Sequence, residues 1–398
     1  MKRPTLSIFF LLLAASRLAA YDTPELTGSV RSLSQLVESS PALEDRLFVS
    51  ANTLRLTSSQ RIGSNISAEA SLENIWLYTS PANTLPPSSD QANTAIDATT
   101  TWRDKKSWSS RLHLDRLYLR GRHGGLRWAA GRQPYGFGNI VLYSPLDIIA
   151  PFSPDAIDTE YRPGVDALRI DYATPRGDLL GAVSVFDDEN KLNSYLGTGS
   201  FNFSGIDVLL LGGRLRERGM GGLGLAGNLG GLGVKGELAW YEGKDTGQPG
   251  GDLYDDFPMG AAELWYRFDN DLVLLVEYLH NGAGAERPED YPLALQSAPV
   301  VEAFSSLLGQ NYLLFAPSLE LHPLLSVSVF GIWNLDDDSY LVRPQFAISL
   351  NDNLALDISH SLHQGDAPTE IPFADVFIPR SEFGTYGDSA AMYLRWYF

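Results

Sequence analysis

Apolar and polar residues alternate with a period of two along most of this chain. In residues 353–363 (NLALDISHSLH), Leu354, Leu356, Ile358 and Leu362 fall on one face, and Ala355, Asp357, Ser359, Ser361 and His363 on the other. The pattern recurs in 325–334, where Leu325, Val327, Val329 and Trp333 oppose Ser326, Ser328 and Asn334. It recurs again in 234–242 and 262–268. A side-chain period of two is the signature of a half-covered β-strand. One such strand suits the face of a soluble sandwich equally well. A long succession of them, each about nine to eleven residues, instead suits tilted crossings of a bilayer.

The alternation predicts strands at 27–39, 47–58, 65–79, 109–120, 125–132, 165–173, 178–187, 205–216, 221–228, 232–242, 260–269, 271–281, 311–321, 324–334, 341–350, 352–362 and 389–398. Between them, 268–271, 321–323 and 351–353 read as tight turns, whereas 243–259, 282–310 and 363–388 are long, polar or rich in Pro and Gly. Short connections alternating with long ones are the habit of outer-membrane barrels, short on the periplasmic side and long outside. Seventeen strands conflict with the even number such a barrel needs when both its ends are periplasmic. The alternation of turns breaks down around 188–204 and the Gly-rich 217–233. The expectation is therefore an all-β fold: a single closed antiparallel transmembrane barrel over 21–398, of about 16 strands within a range of 14–18. Trp76, Tyr78, Trp333, Trp396 and Phe398, near strand ends, suit the interfacial aromatic girdles.

The first twenty residues follow another grammar. Lys2 and Arg3 precede an apolar run over 6–15, and Leu18-Ala19-Ala20 supplies small residues before Tyr21. The run is too short for a membrane helix, which needs about twenty apolar residues. It predicts a secretory signal peptide spanning 1–20, cleaved after Ala20. Removing Lys2, Arg3 and Arg17 leaves 27 basic against 48 acidic residues and moves the formal charge from −18 to −21. That surface repels phosphate backbones and argues against nucleic acid as a partner. Cysteine is absent, which excludes disulfide scaffolds, thiolate metal sites and covalent haem attachment. No cofactor is expected.

The chain ends on AMYLRWYF. Met392, Leu394, Trp396 and Phe398 share one face of this last strand. The segment resembles the C-terminal signature of Gram-negative outer-membrane barrels, and the resemblance implies recognition by the barrel-assembly machinery and residence among outer-membrane lipids.

If the apolar face meets lipid, the polar face lines a lumen. Strand parity nominates Arg127, Arg169, Asp171, Lys235, Glu237, Glu263, Arg267, Glu277, Arg343, Asp357 and Arg395 as inward residues. Cross-strand pairing could simply stiffen the wall with them. A barrel of this size encloses a water-filled passage unless plugged, so passage of small polar solutes is the default expectation. Residues 133–164, with five prolines, are long and apolar for a solvated loop. Folded into the lumen, they would form a constriction presenting Asp147, Asp155, Asp158, Glu160 and Arg162 to solute; the alternative is an extracellular loop with one strand at 140–143.

The run Gly131-Arg132-Gln133, with Gly136-Phe137-Gly138 and Ser144-Pro145-Leu146-Asp147 after it, loosely resembles a pattern of porin-like families that include alginate-export barrels. The resemblance spans some twenty residues and implies a solute-conducting, porin-like protein; Arg132 is counted with the candidate lumen or constriction residues. Surface-polymer export, or a barrel sheathing a periplasmic or multihaem partner, is the alternative from a different class. An enzyme is not expected. Asp357, Ser359, Ser361 and His363 share a strand face while His360 points away, so a triad would have to form across strands.

Overall fold

The computed structural model describes residues 23–40, 45–82, 93–371 and 376–398, and the leader proposed over 1–20 lies outside them. Among the described residues, eighteen antiparallel strands form one closed sheet, with the short strand Thr99–Lys105 paired alongside Trp108–His123. The first six are β1 (Glu25–Val37), β2 (Leu47–Arg61), β3 (Ile66–Ser80), β4 (Trp108–His123), β5 (Leu126–Pro134) and β6 (Gly164–Ala173). The next six are β7 (Leu179–Phe186), β8 (Ser194–Phe203), β9 (Ile206–Leu215), β10 (Arg218–Leu229), β11 (Leu232–Glu242) and β12 (Asp256–Arg267). The last six are β13 (Val273–Asn281), β14 (Asn311–Phe315 continued by Ser318–His322), β15 (Leu325–Asn334), β16 (Tyr340–Asn351), β17 (Leu354–Gln364) and β18 (Ser389–Tyr397).

β18 pairs with β1 from Tyr397↔Ser29 to Ser389↔Val37 and closes the ring. Below that ladder Gly28 and Phe398 exchange both backbone hydrogen bonds, at 2.8 and 3.0 Å. Closure leaves no sheet edge with unpaired amides, the condition for crossing hydrocarbon. Leu119, Ile170, Leu210, Leu225, Leu238, Leu264, Ile358 and Leu394 are exposed on the outer face. Trp240, Trp333 and Tyr340 stand toward one rim of this apolar band, and Phe203, Tyr266, Phe268, Trp396 and Phe398 toward the other, all exposed.

The strand count is two above the expected sixteen, and the strand that alternation misses is β8, inside 188–204. Its outward positions include Gly197 and Gly199, paired with Ala182 and Leu180 of β7, while its inward Leu196 is 3% exposed in the interior apolar cluster. Glycine outside and leucine inside erase the two-residue signal. With β8 in place, short turns of two to five residues alternate with the other connections along the whole chain. The shortest of the latter, 216–217, broke the reading.

The interior departs from a uniformly polar lumen. Val165, Ala167, Val183, Val185, Leu211, Met220, Ala239 and Met259 point inward from β6–β12 and are buried. They are apolar because the connection between β5 and β6 covers them.

Candidate functional site

Residues 135–163 leave β5 and turn into the barrel. Their first half runs along the inner face of β11, β12 and β13. Strand register sets Lys235 opposite Glu263 and Glu263 opposite Glu277, with Glu237 two residues along β11. The three carboxylates receive successive loop amides. Asn139 and Ile140 donate their N–H groups to Glu237, Val141 to Glu263 at 2.7 Å, and Leu142 and Tyr143 to Glu277 at 3.3 and 3.1 Å. The Ser144 hydroxyl donates to Glu237 at 2.6 Å, and Lys235 spans Glu263 (2.8 Å) and the Asn139 carbonyl (2.7 Å). An irregular segment in a closed interior must find acceptors for its backbone donors. Here the wall's glutamates supply them. Ile140, Tyr143, Leu146, Ile148 and Ile149 bury their side chains against the apolar strands described above.

The second half reaches the opposite wall. Arg162 folds back on Asp147 in a two-pronged pair at 2.8 and 2.6 Å. Asp158 pairs with Arg31 of β1 at 2.6 Å, Glu160 lies 3.4 Å from Arg395 of β18, and Arg343 of β16 donates to the Asp155 carbonyl at 2.6 Å. The Tyr161 ring sits beneath two guanidiniums, 4.8 Å from Arg31 and 4.3 Å from Arg55. Glu73 bridges these arginines at 2.9 and 2.7 Å, and Asp115 completes Arg55 at 2.6 Å. One connection thus crosses the barrel and is tied to both sides.

Two voids lie beside the wall, one against β4, β5 and the rim loops and the other against β1, β2 and β18. One, of about 630 Å³, is lined by Arg111, His113, Arg132, Asp187, Arg216 and Glu302 near the rim of long loops. The other, of about 280 Å³, is lined by Ser29, Arg55, Thr57, Tyr161 and Tyr397 near Phe398. Glu73 stands between them, 3.5 Å from His113 and 2.7 Å from Arg55.

The loops at that rim carry their own ionic ties. Arg218 and Lys244 hold Glu302 at 2.7 and 2.9 Å, so that, although burial pushes its carboxyl up, these cations keep it below its ordinary range. Glu382 is buried with Tyr312 (2.6 Å), Asn334 (2.8 Å) and the Leu308 N–H (2.9 Å). Burial pushes its carboxyl up to about 7 against the pull of these donors, and neighbouring Asp337 adds to the rise.

The residues nominated from sequence are scattered among different environments. Lys235, Glu237, Glu263 and Glu277 fasten the loop. Asp147, Asp155, Asp158, Glu160 and Arg162 lie on it. Arg343, Asp357 and Arg395 line the facing wall, with Asp357 and Arg395 paired at 2.6 Å. Arg169 pairs with Asp171 at 2.6 Å and lies over the Tyr135 ring, while Arg127, opposite Asp171 in register, is exposed. Arg267 pairs with Asp271 at the exposed turn after β12. Arg132 lies in a seam of the wall, bound to Asp166 at 2.8 Å and to the carbonyls of Leu114 and Ile96. The alternation Leu54-Arg55-Leu56 and Leu72-Glu73 was the available signal for Arg55 and Glu73, which parity arguments confined to later strands passed over.

No family model and no curated protein matches this chain. Solved structures do match its fold. OccAB4 of Acinetobacter baumannii aligns with a TM-score of 0.60 at 8% identity, covering 95% of this chain and 98% of that one. OpdQ of Pseudomonas aeruginosa gives 0.57 at 10% identity over 95% and 99%, and OccD3 (OpdP) of Pseudomonas aeruginosa gives 0.56 at 10% over 96% and 92%. At such identities the likeness is one of architecture: the chain has the fold of the porin barrels of Gram-negative outer membranes.

Proposed function

We propose that this protein is an outer-membrane channel for passive passage of small polar or charged solutes, narrowed by residues 135–163. The observation that carries the reading is the tying of one connection to both walls, by Glu237, Glu263 and Glu277 on one side and by Arg31, Arg343 and Arg395 on the other. Apolar packing fills the β6–β12 side, so the remaining route follows the polar wall across from it, between the void against β4 and β5 and the void against β1, β2 and β18. Rings of charged side chains beside such a route select solutes by sign and size. A loop fixed across the bore leaves little room for a threaded multihaem partner, which weighs against the sheath reading.

The C-terminal Met392, Leu394, Trp396 and Phe398 are exposed on the outer face, where the assembly machinery can reach them before closure. We infer that they form the assembly signal and that residues 1–20 direct export. The channel reading is tested by single-channel recording of the purified mature protein in a planar bilayer under a salt gradient, beside a variant shortened within 139–161. Stable, ion-selective steps that enlarge on shortening are expected. A folded barrel silent in both forms would overturn it.

A further inference from the structure

Residues 99–108 (TTTWRDKKSW) set three cations close together on the rim of an acidic chain. Thr99–Lys105 pairs with β4 so that Lys105 stands opposite Trp108, and Trp108 stands opposite Tyr78 of β3. Residues opposite one another in an antiparallel pair share a face. Lys105 therefore takes the outward face of Trp108, which is 45% exposed and meets the Tyr78 ring at 4.8 Å. Arg103 lies on that face too, its guanidinium 5.9 Å from the Trp108 ring, and Lys106 sits in the turn between the paired strands. These strand ends belong to the rim of long loops, which is the outer-leaflet side of such a barrel.

Arg103, Lys105 and Lys106 are all exposed, and none of them pairs with a carboxylate among the described residues. Asp104, opposite Ser109, takes the other face. Elsewhere on this rim exposed cations are neutralised in place, Arg46 by Glu38, Lys191 by Glu189, Arg287 by Asp290 and Arg380 by Asp366. Beside the unpaired cations, the same outward face mixes aromatic rings with uncharged polar groups. Register sets Ser50 opposite Tyr78 and Asn52 opposite Trp76, at the level of the aromatic girdle. Trp102 is 56% exposed and donates to the Asn74 carbonyl at 3.0 Å, while the Asn74 amide nitrogen has no partner among the described residues. Acyl chains offer nothing to such a donor.

We propose that this face binds a phosphorylated glycolipid of the outer leaflet. Its phosphates meet Arg103, Lys105 and Lys106 at headgroup depth, where basic side chains attract anionic lipid. Its sugar hydroxyls meet Asn52 and Asn74, whose amides both donate and accept, and the open Asn74 donor gains an acceptor. Its acyl chains run down the outward Leu72, Leu112 and Leu114, which register places below the girdle. A soluble anion would have to approach past the acidic loops, which repel it. A lipid headgroup instead arrives sideways, within the membrane and at the level of the cations.

The test titrates the purified mature barrel in detergent with bisphosphorylated lipid A, with its monophosphorylated form and with phosphatidylglycerol, and counts lipid-bound barrels by native mass spectrometry. Arg103→Ala/Lys105→Ala/Lys106→Ala is compared with Arg61→Ala/Arg122→Ala/Arg176→Ala, which removes as many exposed cations from the opposite rim. Wild type is expected to bind the bisphosphorylated lipid most tightly. The first variant should bind it at least about tenfold more weakly and should no longer distinguish it from the monophosphorylated form, while the second variant binds as wild type does. Both should keep the heat-modifiable mobility of a folded barrel. Wild type that binds all three lipids equally, a first variant that binds like wild type, or an equal loss in both variants would each overturn the proposal. Single-channel conductance enters none of these outcomes, so the channel reading stands or falls separately.

Discussion

Glu277 accepts the backbone N–H of Tyr143 at 3.1 Å, joining a transmembrane strand to a loop 134 residues away in sequence. With Glu263 and Glu237 it forms a row of acceptors along which the loop lies as an added strand would, bonded to side chains instead of backbone. A buried backbone donor left without its acceptor costs about 1–3 kcal/mol. Glu277→Ala leaves the Leu142 and Tyr143 amides unbonded in a closed space, and the loop should loosen by about 3 kcal/mol. The expected result is a larger single-channel conductance and faster proteolytic cutting within 139–146, with the barrel still resistant. Unchanged conductance together with unchanged cutting would show that apolar packing alone holds the loop.

Tyr161 covers two guanidiniums. A cation over an aromatic face gains about 1–2 kcal/mol when partly desolvated, and the ring stands with Arg55 at the void while covering Arg31, which does not line it. Tyr161→Ala should shift the reversal potential toward anion selectivity, with little change in barrel stability. A shift toward cations would mean that Asp158 and Glu160, rather than the arginines, gain exposure.

The Glu382 tie predicts a pH dependence with a definite sign. Its folded carboxyl titrates at about 7 against an ordinary 4.5, so the folded loops hold the proton more tightly than unfolded ones do. Their stability should therefore fall as pH rises from about 4.5 through 7, by about 3 kcal/mol in total if nothing else titrates. The protection factors of Leu308 and of the residues around Glu382, which divide out the intrinsic pH dependence of amide exchange, should be larger at pH 5.5 than at pH 8. Glu382→Gln should remove most of that difference; protection that grows with rising pH would contradict the assignment.

Gly28 and Phe398 seal the barrel. A side chain at Gly28 would run into the Phe398 ring and approach the Arg55 carbonyl. Gly28→Val should lower the yield of heat-modifiable folded protein, and removing Phe398 should lower it further, because the two closing hydrogen bonds and the terminal aromatic are lost together. Equal yields of all three forms would argue that closure is complete by Ser29↔Tyr397.

The sequence by itself determined the class of fold and most of its strands. Alternation in stretches such as 353–363 survives because lipid demands an apolar outer face and the inner face there is polar. It also marked 188–204 and 217–233 as the places where the count would fail. Only the tertiary structure decided the interior. Leu196 looks like an outward residue until the loop packs on it, and Gly199 gives no outward signal at all. Glu237, Glu263 and Glu277 are evident as inward charges from parity, yet nothing local says that they meet the amides of 139–143. Such contacts depend on the register of three strands and on the fold of a connection about a hundred residues distant, and the side-chain period of a strand records which face a residue takes but not what stands across the lumen.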